Sequence, residues 1–241
     1  MKEVRFFYTP NAPRTTELPD EEAQHAVRVL RLKEGDEIIL MDGMGMFYRA
    51  AITEATKKRC TYEIVESMPQ QRQWTTHLHV AMAPTKSMDR TEWLAEKATE
   101  IGVDELSFLR SQFSERTQLK VERIEKIVVA AMKQSHKAWC PVVHDMMDFK
   151  LFVTQDFKGD KFICHCYDQP DMVAKVELKD VLVAGHDALV LIGPEGDFSV
   201  DEVKMAEAAG FVSVSLGKSR LRTETAALVA VHLMQLKSSL P

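Results

Sequence analysis

The chain has 241 residues, of which 45% are hydrophobic and 28% are charged, and its formal net charge is -5. These values are typical of a soluble globular protein with room for two domains. No run of 18 apolar residues occurs and the N-terminus lacks the pattern of a secretory signal, so we expect a cytoplasmic protein without a membrane span. Four cysteines without paired C-x-x-C spacing indicate reduced thiols rather than disulfides or a structural zinc site.

Charge is segregated along the chain. Residues 110–137 carry seven basic and three acidic side chains, whereas residues 140–210 carry six basic and fourteen acidic ones. The net negative charge argues against indiscriminate nucleic-acid binding, but this asymmetry could still build one positive face.

The first 70 residues are predicted to be rich in β-structure. Apolar segments at 5–10, 36–56 and 60–66 indicate strands, and Asp20 opens a short helix. This pattern resembles a small barrel. The aperiodic segment 67–73, with its proline and glutamines, is the predicted domain boundary.

From Thr75 onward strands and helices alternate, which predicts a mostly parallel sheet covered by helices. The predicted strands are 76–83, 104–109, 161–167, 188–192 and 211–216. The predicted helices are 89–102, with Asp89 and Glu92 as its cap, 119–137, 199–210 and 223–237.

Two of these helices have informative faces. Helix 119–137 is amphipathic, with an apolar face of Val121, Ile124, Val128, Ala131 and Met132 and an opposite face, expected to be exposed, of Arg123, Lys126, Lys133 and Lys137. Helix 223–237 is apolar nearly all round, so we expect it to be covered by the sheet and by a second subunit. His232 on that helix is interpreted as a core or interface residue.

A glycine turn follows the strand that ends at Ile192. The turn occupies 193–196, and Ser199 with Glu202 has the S-x-x-E spacing of a capping box that begins a helix. Crevices at the carboxyl ends of parallel strands bind ligands in α/β proteins, and glycine lets the backbone approach a ligand closely. The turn is compatible with a ligand-binding loop and also with a tight connection that needs glycine only for its geometry. A dinucleotide ligand is disfavoured, because both the G-x-G-x-x-G and the P-loop motif are absent.

A second strand ends at Gly217 and continues into a cationic loop. Lys218, Arg220 and Arg222 could hold phosphate there, and Glu224 near a helix N-terminus is favoured by the helix dipole. A solvated loop accounts for the same residues.

Two clusters have the composition of metal ligands. Cys164, His165 and Cys166 form one, and His77 with His79 forms the other. Both lie on predicted strands, where alternation places neighbouring residues on opposite faces, so we interpret them as core residues and predict no metal site. No G-x-S-x-G elbow supports a hydrolase.

The pattern strand-IGPEG-helix, followed about 20 residues later by LG-x-x-x-LRTETA-helix, resembles the RsmE family of SPOUT methyltransferases. Segments at 25–31, 86–102, 114–116 and 133–135 follow in the family's order. The resemblance implies an N-terminal PUA-like RNA-binding β-barrel over 1–70. It also implies a C-terminal α/β SPOUT methyltransferase domain over 74–241, tied in a trefoil knot and acting as a homodimer.

The family methylates N3 of a uridine in 16S ribosomal RNA, so the resemblance implies that RNA, within the small ribosomal subunit, as the partner. S-adenosylmethionine is the implied cofactor, held by three loops in the knot. The implied cofactor residues are Tyr167, Ile192, Gly193, Glu195, Gly196, Leu216, Gly217 and Leu221. The implied catalytic residues are Arg222 and Glu224. The expected RNA-binding residues are Arg5, Arg28, Arg31, Arg116, Arg123, Lys126, Lys133 and Lys137.

This sequence departs from the family pattern at several positions. Asp197 replaces the last glycine of GPEGG, and Lys218-Ser219 replaces a Pro-Arg pair. Lys133 and Lys137 stand where Glu and Arg are common. Another SPOUT RNA methyltransferase, a binding-only RNA protein and a metabolic enzyme for a small nucleotide remain alternatives.

Overall fold

A computed structural model describes residues 5–56, 59–168 and 174–238. The chain divides into two compact units. The first comprises residues 1–72 together with 129–140, and the second comprises residues 73–128 together with 141–241.

The first unit is built on a four-stranded sheet. Its elements are β1 (Phe6–Tyr8), α1 (Asp20–Gln24), a π-helical turn (His25–Val29), β2 (Glu37–Met41), β3 (Met46–Ala55) and β4 (Cys60–Pro69). The strands lie in the order β1-β2-β3-β4, with β1 parallel to β2 and the other pairs antiparallel. Phe7, Ile38, Leu40 and Ile52 are buried at the centre of its core.

Residues 129–140 return to this first unit although they lie beyond the predicted boundary at 67–73. Met132 and Ala138 pack with residues of β2 and β3, and the Gly45 amide donates to the Ala138 carbonyl at 3.0 Å. A Cβ on Gly45 would lie 2.7 Å from the Trp139 ring. Only glycine therefore allows this segment to approach the sheet.

The second unit contains a seven-stranded sheet in the order β7-β6-β5-β10-β8-β11-β9, and every pair is parallel. Its strands are β5 (Leu78–Met82), β6 (Glu105–Arg110), β7 (Val142–Asp148), β8 (Asp160–Cys164), β9 (Val176–Glu177), β10 (Ala188–Ile192) and β11 (Val212–Ser215). Its helices are α2 (Met88–Ile101), α3 (Val121–Ser135, shared with the first unit), α4 (Phe149–Phe152), α5 (Leu178–Val181), α6 (Val200–Ala208) and α7 (Thr223–Ser238).

Burial explains the layered arrangement of the second unit. Every residue of β5 and β10 is buried, as expected for central strands covered on both faces. The predicted capping box is present, because Ser199 Oγ accepts from the Glu202 amide and the Glu202 carboxylate accepts from the Ser199 amide. On α3, Ile124, Val128 and two further residues of the predicted apolar face are buried, which confirms that face.

Some local predictions were wrong. The N-cap of α2 is Ser87 rather than Asp89, and its side chain makes no capping bond. The strand predicted over 161–167 ends at Cys164. The elements β7, α4, β9 and α5 were not predicted. The two helices have four residues each and β9 has two, so none is long enough to repeat a pattern, and the sequence of edge strand β7, VVHDMMD, does not alternate between apolar and polar residues.

Among the described helices, none is long and apolar enough to cross a membrane. All four cysteines are free, as predicted. On α7, His232 is exposed and Leu236 retains 59% of its surface in the single chain, so His232 is not a core residue of this chain.

Candidate functional site

A cavity of about 940 Å³ lies in the second unit, at the carboxyl ends of β8, β10 and β11. Sites for small molecules usually have volumes of about 300–1,000 Å³. The walls come from the ends of these three strands and the segments that follow them, at 164–166, 168, 192–197 and 214–223, with Arg90, Lys175, Glu177 and Ala226 completing them. Topology thus places the two motifs singled out in the sequence on one cavity.

The turn after β10 is fixed by close packing and by its glutamate. A Cβ on Gly193 would lie 2.9 Å from the Phe198 nitrogen, so a larger residue would displace the backbone. Glu195 Oε1 accepts a hydrogen bond from the Lys86 amide at 2.9 Å. This carboxylate therefore braces an amide of a neighbouring loop.

Arg116 supports the same neighbouring loop. Its guanidinium donates to the carbonyls of Thr85, at 3.3 Å, and Lys86, at 2.8 Å. Lys86 is therefore held through its carbonyl by Arg116 and through its amide by Glu195. Arg116, predicted to bind RNA, has a bracing role within the second unit.

Asp197 joins two of the cavity loops. Its φ is 66°, in the left-handed region that Asp tolerates better than most residues. One carboxylate oxygen accepts from the Phe198 amide at 2.8 Å, and the other accepts from the Cys166 amide, on the loop after β8, at 2.7 Å. Asp197 therefore adopts a left-handed backbone conformation that a glycine could also adopt. Its side chain adds a hydrogen bond between the two loops.

His165 is the buried polar side chain of this cavity. It is 6% exposed, and neither ring nitrogen has a hydrogen-bond partner among the described residues. Burial lowers the pKa of His165, with the Lys175 cation acting in the same direction. The ring is thus neutral at pH 7 and offers one donor and one acceptor to a bound molecule.

The interpretation of the Cys-His-Cys cluster as strand core was wrong in part. Only Cys164 belongs to β8, whereas His165 and Cys166 lie in the following loop and line the cavity. Cys166 is exposed. Burial, followed by the Asp197 charge, raises the pKa of the Cys166 thiol, so this thiol is protonated at neutral pH.

The loop after β11 carries the three predicted cations. Gly217 has a φ of 109° and accepts a hydrogen bond on its carbonyl from Ser215 Oγ at 3.1 Å. Lys218, Arg220 and Arg222 are exposed and line the cavity.

Glu224, in the first turn of α7, is buried beside a different arginine from the one expected. Its Oε1 lies 3.7 Å from Arg90 Nε, and its Oε2 has no hydrogen-bond partner among the described residues. Arg90 was missed by the sequence analysis. A cation in the first turn of α2 is unfavourable for the helix dipole, and that signal could have indicated a functional role.

Seven of the eight predicted cofactor residues line the cavity: Ile192, Gly193, Glu195, Gly196, Leu216, Gly217 and Leu221. Tyr167 lies outside that lining. Its ring packs against the hydrophobic core, and its hydroxyl donates to the Phe198 carbonyl at 2.7 Å. The predicted cofactor loop after Tyr167 continues through 169–173, outside the described residues.

In the first unit, the predicted RNA-binding residues fall into two groups. Arg5, Arg28 and Arg31 are exposed. Lys133 instead contacts both carboxylate oxygens of Glu22, at 2.7 and 2.8 Å, with 21% of its side chain exposed. Lys137 is half-buried, and burial lowers its pKa. The expectation that these two lysines are fully exposed was wrong.

In the second unit, the predicted basic residues of α3 are exposed. Arg123 donates to Glu92 Oε2 at 2.8 Å, and Lys126 is exposed. Glu92 therefore pairs with a basic residue instead of capping α2.

Comparison with known proteins decides the family. A model described as an RNA methyltransferase domain matches residues 72–235, and one described as an RNA methyltransferase PUA domain matches residues 18–65. The chain belongs to the RsmE family of RNA methyltransferases. It thus joins an N-terminal PUA-like domain to an α/β domain with a parallel sheet.

Three relatives illustrate the extent of the similarity. Ribosomal RNA small subunit methyltransferase E of Bacillus subtilis is 27% identical over 94% of this chain and 91% of its own. A probable rRNA-methyltransferase from Porphyromonas gingivalis is 42% identical, with a TM-score of 0.90 over 98% of each chain. Ribosomal RNA small subunit methyltransferase E from Neisseria gonorrhoeae, solved bound to S-adenosyl methionine, is 27% identical, with a TM-score of 0.85 over 97% of this chain and 98% of its own.

Three substitutions at Asp197 separate its backbone role from its side-chain role. We expect Asp197→Asn to be the most stable, since it tolerates the left-handed conformation and retains one acceptor oxygen. Asp197→Gly should lose about 1.5–3 kcal/mol with the hydrogen bond that its carboxylate accepts from the Cys166 amide. Asp197→Ala should lose roughly a further 1 kcal/mol through backbone strain. Urea unfolding gives the order, and an alanine variant as stable as the glycine variant would contradict it.

Proposed function

We propose that this chain is an S-adenosylmethionine-dependent methyltransferase that modifies N3 of a uridine in 16S ribosomal RNA, within the small ribosomal subunit. The observation that carries the proposal is the cavity at the carboxyl ends of β8, β10 and β11, lined by both motifs that carry the family resemblance. The named relatives support the same class of substrate and cofactor.

The cavity residues fit this cofactor. Ile192, Leu216 and Leu221 supply apolar walls for an adenine, and His165, whose ring nitrogens have no hydrogen-bond partner among the described residues, supplies polar edges. Acidic and basic side chains both line the cavity, which suits a ligand that carries a sulfonium, an ammonium and a carboxylate. When bound, S-adenosylmethionine supplies an activated methyl group for an in-line displacement.

Arg222 and Glu224 are the proposed catalytic pair. Uracil N3 is protonated when neutral, so the site must remove this proton and stabilise negative charge on the base. Arg222, exposed at the cavity, holds the developing charge on the uracil oxygens or grips a phosphate. Glu224 takes the N3 proton or orients an arginine, and its Oε2 is free of hydrogen bonds within the described residues.

Arg90 extends this pair. With its Nε 3.7 Å from Glu224 Oε1, it holds that carboxylate from one side, while the buried Oε2 has no hydrogen-bond partner among the described residues. Because Arg90 also lines the cavity, we assign it the role of positioning Glu224 relative to the substrate base.

RNA would be held mainly through its phosphates. Arg5, Arg28 and Arg31 of the PUA-like domain, with Arg123 and Lys126 of α3, are the exposed candidates. Phosphate contacts position the RNA without identifying its bases.

The family resemblance also supports three features of architecture. We propose that the cofactor loops form a trefoil knot and that the functional domains span 1–70 and 74–241. We also propose a homodimer in which the second subunit covers the exposed side of α7, where His232 and Leu236 lie. Size-exclusion chromatography with light scattering measures the oligomeric state.

Mass mapping of small-subunit RNA tests the function directly. We expect RNA from cells that lack this protein to be one methyl group lighter at a single uridine, and purified protein with S-adenosylmethionine to restore it. Fragmentation should leave the methyl group on the base. A methyl group on the ribose would contradict N3 specificity, and failure of the protein to bind S-adenosylmethionine in calorimetry would favour a binding-only protein.

Replacement of Glu224 tests the proton acceptor. We expect Glu224→Gln to lower turnover by about 10²–10⁴-fold and to change its pH dependence, because the amide cannot accept the N3 proton. Cofactor affinity should stay within about twofold if the role is only in proton transfer. Glu125→Gln, at an exposed position of α3, is the matched control and should behave as wild type. Unchanged turnover at every pH would eliminate the proton-acceptor role.

The salt dependence of RNA binding tests the exposed arginines. We expect affinity to fall steeply with salt, and Arg28→Ala to reduce the slope of log affinity against log salt by about 1. Lys133→Ala should leave the slope unchanged, since Lys133 pairs with Glu22, and should instead lower the free energy of unfolding. A flat salt response, or equal slopes for wild type and Arg28→Ala, would count against the phosphate contacts.

A further inference from the structure

A cluster of three histidines and one glutamate lies at the amino edge of the seven-stranded sheet. His77 directly precedes β5, His79 is the second residue of β5, Glu105 begins β6, and His144 lies on β7. The three strands are neighbours in the sheet, and His79 is directly opposite Glu105. The cavity described above is at the carboxyl edge, so this cluster is a separate site.

Glu105 is the centre of the cluster. Its Oε2 lies 2.7 Å from His144 Nε2 and 3.7 Å from His79 Nδ1. Its Oε1 lies 2.8 Å from His77 Nε2. One nitrogen of His79, one nitrogen of His144 and one oxygen of Glu105 all lie within 4.8 Å of one another.

These separations fit tetrahedral metal coordination. Bonds of about 2.0–2.1 Å from zinc to nitrogen or oxygen place neighbouring ligand atoms roughly 3.3 Å apart. The separations of 2.7 and 3.7 Å from Glu105 Oε2 bracket that value. The nitrogens of His79 and His144 lie within 4.8 Å of each other, so side-chain rotations are needed to bring all three atoms onto one ion.

The most buried ligand is already oriented. His79 is 7% exposed, its ring lies 5.8 Å from that of Phe152, and its Nε2 lies 2.8 Å from Ser107 Oγ. A hydrogen on Nε2 donated to that hydroxyl leaves the Nδ1 lone pair directed towards Glu105. A hydrogen bond from the second ring nitrogen is the usual support for a metal-binding histidine.

The remaining residues meet the other requirements of a site. His77 contacts Glu105 Oε1, so it can orient the carboxylate while Oε2 binds an ion. The side chain of His144 is 43% exposed, which gives an ion access from solvent. Two imidazoles and a carboxylate suit zinc and similar transition metals rather than magnesium or calcium, which prefer oxygen ligands.

We propose that His79, Glu105 and His144 form a three-ligand site for a divalent transition-metal ion of the zinc class, with solvent at the fourth position. The ion links β5, β6 and β7 at the sheet edge remote from the cavity. This site is independent of the proposed methyltransferase function, because it shares no residue with the cavity.

Titration of the chelator-treated full-length protein with Zn²⁺ and Co²⁺ tests the site. We expect one Zn²⁺ per chain by calorimetry, a tetrahedral Co²⁺ spectrum and a higher unfolding temperature with Zn²⁺ present. His144→Ala and Glu105→Gln should each weaken binding by at least about tenfold, since loss even of an outer partner typically costs 10–100-fold. His144 is partly exposed, so its replacement avoids the folding risk of replacing buried His79.

Two control variants locate the ion. His186→Ala removes an exposed histidine paired with Asp160, and Cys166→Ser removes the exposed thiol at the cavity. Both variants should bind Zn²⁺ as the wild type does. Absence of binding to the wild type at millimolar Zn²⁺, or equal binding by His144→Ala, would overturn the proposal. Loss of the ion in Cys166→Ser would also overturn it, by placing the ion at the cavity.

Discussion

The pairing of β8 with both β10 and β11 is the constraint on which the cavity depends. Cys164 at the end of β8 is paired with Ile192 at the end of β10 and with Val214 near the end of β11. All three strands run parallel, so their following loops leave the sheet at the same level. Residues from Cys164 to Ala226 therefore face one space, and neither loop motif could form this cavity alone.

Side chains, rather than packing alone, keep those loops apart and in place. Asp197 accepts the Cys166 amide, and Glu195 accepts the Lys86 amide. These carboxylates satisfy backbone donors of neighbouring loops, which would otherwise be left without partners. Among the cationic residues of the lining, Lys175 also holds a loop, because its ammonium donates to the His165 carbonyl at 3.3 Å. Asp197 replaces a glycine of the family pattern beside the cavity and contributes one of the bonds between loops.

The sequence indicated the second unit well, because its strands are continuous apolar runs and its turns carry glycine. Predicted strand 188–192 matches β10 at both ends, and the capping box at Ser199 fixes the start of α6. Residues brought together only by the fold were not predicted. Arg90 reaches the cavity from α2, and Glu105 joins His79 and His144 across three strands. Periodicity describes one helix or strand at a time, so it does not indicate which residues of different elements come into contact.

For the same reason, the sequence alone does not show which of the basic residues predicted to bind RNA are already paired within the fold. A helical projection places Lys133 and Arg123 on one face, but it does not show that Lys133 meets Glu22, or that Arg123 pairs with Glu92 and still keeps 63% of its side chain exposed. Arg116 is similarly occupied by two backbone carbonyls. If a lysine or arginine that pairs with a buried group moved to a phosphate, the buried group would be left unpaired. The free energy lost in this way exceeds the free energy gained from an exposed phosphate contact. In a chain with a net charge of -5, we therefore expect the proposed affinity for RNA to depend on the placement of a few exposed basic residues and not on their total number.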